Sequence, residues 1–352
     1  MNQKKKHKSE NIYISEIDEK AWVNNIHEFK HSLFISAEWV NAMQNANNKA
    51  VFLDFHKNNL VVGKLAGLIC DYGGFSGRQL YFYASPAIKE CDQDLFDSCH
   101  SALYDYARKH KYSRVILGSY DQQHELSCCA KGYYATNRFE YIVDFRPEAE
   151  ELHFSKGFRK NVKRAEKNNI SFIQSDKSEI LEKLFALLEK TREHRISKYG
   201  SEYNPYYLQN MNKQSLTRLV DSGIVKLYYV LYNDEVNSVQ YNIEKNGQVY
   251  GLLMGSDDTA YELGFPSYID YNMIMRFQDL GFDYYNPGGG TDDAGNAGVE
   301  KYKHSMGGIK INVHGATTNY ITFPQKMLNP LMNLGRILPR KNPVVKLIKK
   351  FI

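Results

Sequence analysis

The stretch from Phe265 to Gly308 constrains the fold of this chain more than any other. Pro266–Leu280 predicts an amphipathic helix. Pro266 suits a first turn, where its missing N–H costs nothing, and Ile269, Met273, Phe277 and Leu280 fall on one stripe. Gly281 stops the helix. A short strand, Phe282–Asn286, runs into Gly288, Gly289 and Gly290, and further on come Tyr302, Lys303 and the pair Gly307–Gly308. A helix feeding a strand that ends in consecutive glycines leaves backbone amides open to a ligand, with an ammonium close by in sequence. That order is the layout of a group-transfer site, although a tight turn alone also accounts for three glycines.

The rest of the chain repeats one plan. Apolar runs at 50–55 and 60–65 flank Lys57-Asn58-Asn59, a hairpin signal, and a third run, Leu80–Tyr83, follows a glycine-rich turn. A helix carrying Leu95, Cys99, Leu103 and Tyr106 then leads to the strand Val115–Leu117. In the second half, 225–232, 236–243 and 249–254 form a meander with turns at Asn233-Asp234 and Lys245-Asn246-Gly247, before the Pro266 helix and its strand. Tyr112 and Phe282 stand at equivalent points about 170 positions apart, too far for a solenoid repeat and suited to a duplicated domain. Between the halves lie a basic helix at 157–169 and a strand at 170–173. A helix opened by a capping box of Asp176 and Glu179 follows, then a shorter one from Tyr203 to about Leu219.

This order resembles the FemAB-like members of the GNAT acyltransferase superfamily, of the peptidoglycan-bridge or polysaccharide-cluster type. The likeness rests on the "F-R-K-N-V-K-R-A" segment at 158–165, on the meander and helix, on the glycine strand, and on the "Y-K…G" element at Tyr302-Lys303. It implies an α+β fold of two tandem GNAT-like domains, each a mixed, mainly antiparallel sheet flanked by helices. The domains are expected at 1–147 and 148–318, followed by a basic apolar tail at 319–352 whose early part packs on the first.

The resemblance also implies acyl transfer to an amine. That chemistry needs a polarised carbonyl, a neutral amine and a grip on an anionic donor. The strand at 252–256 and the helix start at Phe265, Pro266 and Ser267 are placed to offer amides and a helix dipole to the donor, together with Gly288, Gly289 and Gly290. Lys303 aligns with the family lysine that stabilises charge at the reacting carbonyl; otherwise it is a surface lysine. Tyr302 is a packing residue or a proton donor. Arg159 and Lys163 are phosphate-binding candidates on the basic helix, or parts of a solvated face. Asp257, with Asp258, either relays the amine's proton or caps a turn, and the same two readings apply to Asp292 and Asp293. No His or Glu recurs at metal-ligand spacing, so no metal is expected. The usual coenzyme A loop, Q/R-x-x-G-x-G/A, is replaced by Glu262-Leu263-Gly264, so acyl-CoA and aminoacyl-tRNA both stay open as donors.

Charge and hydropathy bear on partners. Ten basic residues and no acid follow Glu300, and Lys4, Lys5, Lys6 and Lys8 open the chain, so a net of +5 conceals an acidic body between basic ends. The tail interleaves those cations with Leu328, Leu331, Leu334, Ile337 and Leu338, a pattern suited to an anionic membrane face. No apolar run spans a bilayer and no secretory signal follows the basic start, so a cytoplasmic protein is expected, at the inner face of the plasma membrane where it meets lipid. Five cysteines without a C-x-x-C motif read as free thiols. The expected activity is N-acyl transfer from acyl-CoA to an amine of a cell-envelope glycan or lipid-linked precursor. The alternatives are an aminoacyl-tRNA-dependent transferase building peptidoglycan bridges and a non-catalytic module binding anionic glycan or lipid.

Overall fold

The structure is a computed structural model that describes residues 12–122, 124–199, 204–290 and 297–338. The candidates Asp292 and Asp293, the basic start of the chain and the tail from Pro339 lie outside these. In chain order the elements are β1 (Tyr13–Ile17), α1 (Glu19–Asn25), α2 (Ala37–Ala42), β2 (Asn48–Lys57), β3 (Leu60–Asp71), β4 (Arg78–Phe82), β5 (Ala87–Ile88), α3 (Gln93–Lys109), β6 (Arg114–Leu117) and β7 (Tyr133–Asp144). There follow α4 (Lys156–Glu166), β8 (Ile170–Ser175), α5 (Ser178–Tyr199), α6 (Lys213–Asp221), β9 (Val225–Tyr232), β10 (Glu235–Lys245) and β11 (Gln248–Ser256). The chain continues through α7 (Asp258–Leu263), α8 (Phe265–Asp279), β12 (Tyr284–Asn286), β13 (Gly289–Gly290), α9 (Ala297–Ser305), β14 (Ile309–Thr318) and α10 (Asn329–Ile337). They form two compact units, residues 1–137 with 313–352, and residues 138–312.

In the first unit the strands run β1-β2-β3-β4-β6-β14, antiparallel except for the β4–β6 pair. Asn58 and Asn59 both take positive φ (51° and 64°), the backbone that a two-residue hairpin needs and that asparagine tolerates best among side-chain-bearing residues. Helix α3 bridges β4 and β6, buries Phe96, Cys99, Leu103 and Tyr106, and is capped by Asp92. Lys64 is fully buried and survives there because its ammonium meets Asp54 at 2.6 Å and lies over the Trp22 ring.

The second unit follows the same plan, with order β7-β12-β11-β10-β9-β8 and β11–β12 as its parallel pair. Ile269, Met273, Ile274 and Phe277 of α8 are wholly buried against Phe158, Val162 and Ala165 of α4 and against Tyr228, Val230 and Val249 of the sheet. Each such side chain contributes roughly 1.5–3 kcal/mol of burial. This clamps α8 between α4 and the strands, and α8 carries one wall of the site.

Three local expectations are corrected. Asp176 stands outside α5, 3.8 Å from the Lys226 ammonium, and the carbonyl of Lys177 receives the first helical N–H groups instead. The helix expected from Tyr203 begins only at Lys213, where Asn212 and Ser215 form a capping box. Leu280 has left the apolar stripe and is 59% exposed, because α8 closes one residue earlier.

Candidate active site

The second unit contains a cleft of about 540 Å³. It opens where the sheet splays. The parallel pairing of β11 with β12 ends at Tyr250↔Asn286, and from there Gly251–Met254 turn toward the cleft. A bulge in the β10–β11 ladder at Tyr241/Asn242 sharpens the divergence. Pro266, Ser267 and Asp270 of α8 form one wall, Pro287–Gly289 another, and α9 closes the rim with Tyr302 and Lys303.

A buried acid sits at the centre. Asp270 is 2% exposed, accepts a hydrogen bond from the Tyr302 hydroxyl at 2.6 Å through Oδ2, and one from the Tyr285 hydroxyl at 3.2 Å through Oδ1. Burial pushes its carboxyl up to about 6, against the two phenols and the Lys303 charge, which favour the carboxylate. Burial also draws the Lys303 ammonium down to about 8, against the carboxylates of Glu140 and Asp270. Both phenols are held well above their ordinary value by burial and by the Asp270 charge, so they carry protons near neutrality. The site therefore pairs a carboxylate and an ammonium that both titrate close to physiological pH.

Lys303 is set by its surroundings. A methyl group at Gly288 would lie 3.6 Å from its Nζ, so the ammonium stands beside the end of β12. Beneath, Glu140 is wholly buried and accepts from Asn286 Nδ2 at 2.9 Å and from the Tyr250 hydroxyl at 3.3 Å. Asn286 turns its own oxygen to the Gly288 amide at 2.8 Å. The glycine run thus has two causes. Gly288 takes a left-handed φ of 75° to bend over the lysine, whereas at Gly289 a side chain would lie 1.7 Å from the Phe139 carbonyl, because β13 presses onto β7 there.

Of the residues singled out from the sequence, Pro266, Ser267, Gly288, Gly289, Tyr302 and Lys303 line this one cleft. Gly290 is held in the β13–β7 pair opposite Phe139. Asp257 is not in the cleft; it caps α7, accepting from the Ala260 amide at 2.8 Å and from Asn237 at 3.0 Å. The buried carboxylate is Asp270 instead. Arg159 and Lys163 do not reach the cleft either; with Lys156, Lys160, Arg164 and Lys167 they line a separate basic surface on the outer side of α4. Asp270, Tyr285, Gln240 and Glu140 were not anticipated. Asp270 had left one sign, an acid inside the buried arc of a helix whose neighbours Ile269 and Met273 are wholly buried.

Residues 153–304 match the family model of the acetyltransferase (GNAT) domain. Among solved structures, FemX is similar over 90% of this chain and 98% of its own, at 11% identity and a TM-score of 0.65. L-PGS from Bacillus licheniformis is similar over 90% and 96%, at 13% identity and 0.54. A conserved protein of unknown function from Bacteroides thetaiotaomicron is similar over 87% and 99%, at 11% identity and 0.55. Likeness at such identity speaks to fold alone. No curated protein sequence matches. The match to the acetyltransferase (GNAT) domain thus falls on the cleft-bearing unit, and the chain shares its fold of mixed sheets with these structures.

Proposed function

We propose that this protein is an acyltransferase that moves an acyl group from an activated ester donor to the amine of a cell-envelope glycan or lipid-linked precursor, with Lys303, Tyr302 and Asp270 as its reacting groups. The convergence of a half-buried ammonium and a buried carboxylate–phenol pair on one cleft carries this reading. Addition of the amine to the acyl carbonyl builds charge on the carbonyl oxygen, which Lys303 Nζ stabilises. The nitrogen gives up its proton to the Tyr302 oxygen as the Tyr302 proton passes to Asp270, and the leaving oxygen recovers a proton from Lys303. Tyr285 holds the carboxylate in position.

The donor is read as an aminoacyl ester on tRNA rather than acyl-CoA. Coenzyme A pyrophosphate needs open amides ahead of a helix. Here α7 runs up to α8, and Gly264 serves as the C-cap of one and the N-cap of the other. Its amide bonds Ala260 at 2.9 Å, and a side chain on it would lie 2.6 Å from the Asn161 carbonyl. The basic surface of α4 supplies phosphate contacts, with Arg159 and Lys163 among them.

A lipid-linked acceptor is supported by the tail. Phe323, Met327, Leu331, Leu334 and Ile337 are exposed at near-helical spacing beside Lys326 and Arg336, a face suited to an anionic bilayer surface. Among the described residues no helix is long and apolar enough to cross a membrane. One donor screen tests the proposal: coenzyme A thioesters and charged tRNA are supplied in parallel with amine-bearing precursors, and products are read by mass spectrometry. An aminoacyl mass increment on the precursor that ribonuclease abolishes is expected; transfer from thioesters alone overturns the donor reading, and no transfer from either overturns the function.

A further inference from the structure

The floor of the cleft holds an acceptor that the proposed chemistry leaves unused. Gln240 is 4% exposed, lines the cleft, and its Oε1 has no hydrogen-bond partner, although its amide nitrogen has two. Nε2 donates to Asn242 Oδ1 at 3.2 Å and to the Tyr285 oxygen at 3.1 Å. Both contacts fix which way the amide points. Asn242 spends its own N–H on Met273 Sδ, so its oxygen faces Gln240, and the single proton of Tyr285 goes to Asp270. Only the nitrogen of Gln240 satisfies both neighbours, which leaves the oxygen turned away from them. The room for this arrangement is made by Gly251, where a side chain would come within 2.7 Å of Gln240 Nε2 and 2.8 Å of the Tyr285 hydroxyl.

A buried carbonyl oxygen without a donor is costly, and it persists where a ligand supplies the missing N–H. The cleft is thereby polarised. Gln240 Oε1 and the Asp270 carboxylate, joined through Tyr285, accept hydrogen bonds and favour positive charge, while Lys303 favours negative charge. An acyl group complementary to both has a carbonyl for the lysine and a cationic nitrogen for the glutamine, which describes an α-aminoacyl group and excludes acetyl. We infer that Gln240 is a specificity-determining residue that receives the α-ammonium of the transferred aminoacyl group.

This inference rests on the acyl-donor reading of the cleft, and a pair of stable probes separates the two. 3′-Alanylamino-3′-deoxyadenosine and its propionylamino counterpart differ only in the α-ammonium, and their binding to the full chain is measured by calorimetry. The intact protein is expected to prefer the alanyl probe by on the order of ten- to a hundred-fold, the worth of a buried hydrogen bond to a charged group. Gln240→Met brings the ratio close to one, the alanyl probe losing more affinity than the propionyl probe; Gln240→Glu, which keeps an acceptor there, preserves or widens the ratio. If both probes bind equally to the intact protein, or the preference survives Gln240→Met, the inference fails and the transfer reading stands. Should Gln240→Met fail to fold, a preference narrowed by Gln240→Glu overturns the inference. If neither probe binds, the donor reading fails, and the inference with it.

Discussion

Replacing Asp270 by Asn separates what this residue does for the fold from what it does for the chemistry. The folded-state carboxyl lies near 6 against an ordinary 3.8, so the folded chain binds that proton more tightly than the unfolded chain. For a carboxyl raised in this way the penalty is absent below about pH 4 and complete above about pH 6. Two units correspond to about 3 kcal/mol. Against this stands the loss of one acceptor: Oδ2 still receives the Tyr302 hydroxyl, but the amide nitrogen would face the Tyr285 hydroxyl, stranding its proton at a cost of about 1–3 kcal/mol. The two nearly cancel. Asp270→Asn is therefore expected to melt within a few degrees of the parent at pH 8, while kcat falls by about 10²–10⁴, the usual worth of a proton acceptor. The parent is expected to show a bell-shaped pH profile for kcat/KM, with an acidic limb near 6 as Asp270 ionises and an alkaline limb near 8 as Lys303 loses its proton. In the variant the acidic limb disappears from the residual rate. A variant that keeps a tenth of the parent kcat, or retains the limb near 6, refutes the assignment of Asp270 as the proton acceptor.

Three further outcomes are expected. Gly289→Ala sets a methyl group 1.7 Å from a backbone oxygen that cannot yield without parting β13 from β7, so thermal denaturation should register a loss on the order of 3 kcal/mol or more. Reversing Arg159 and Lys163 to Glu is expected to weaken tRNA binding by fluorescence anisotropy and to flatten its salt dependence, while the affinity for the short alanyl probe stays unchanged because that face lies outside the cleft. Changing Phe323, Leu331 and Ile337 to Ser is expected to abolish sedimentation with phosphatidylglycerol vesicles, since those side chains are exposed and none carries the core.

The fold was legible where local chemistry and tertiary structure agree. Asn58-Asn59 and Asn233-Asp234 are found at positive φ between paired strands, and Ile269, Met273 and Phe277 form the buried stripe their spacing implied. It failed where tertiary contacts override a local signal. Asp176 has capping chemistry, but the chain enters α5 after it. Pro205 and its tyrosines look like a helix start, yet Tyr207 and Pro205 are used to line the cleft. The site divides along the same boundary. Lys303, Tyr302 and the Gly288 bend lie within one contiguous stretch, whereas Glu140 reaches the site from a strand far away in sequence. Asp257 drew attention because it follows a strand, and Asp270 did not because a helical acid is ordinarily solvated. Only the clamping of α8 by α4 reveals that its side chain is enclosed.

The charge-stabilising role of Lys303 is tested by comparing the parent with Lys303→Ala and Lys303→Arg in single-turnover transfer from aminoacyl-tRNA to an amine-bearing precursor, with donor affinity and melting temperature measured alongside. Loss of on the order of 10²–10³ in rate for the alanine variant, with partial recovery by arginine and little change in folding, is the predicted result. Transfer by Lys303→Ala at the parent rate would show that the ammonium takes no part in the reaction.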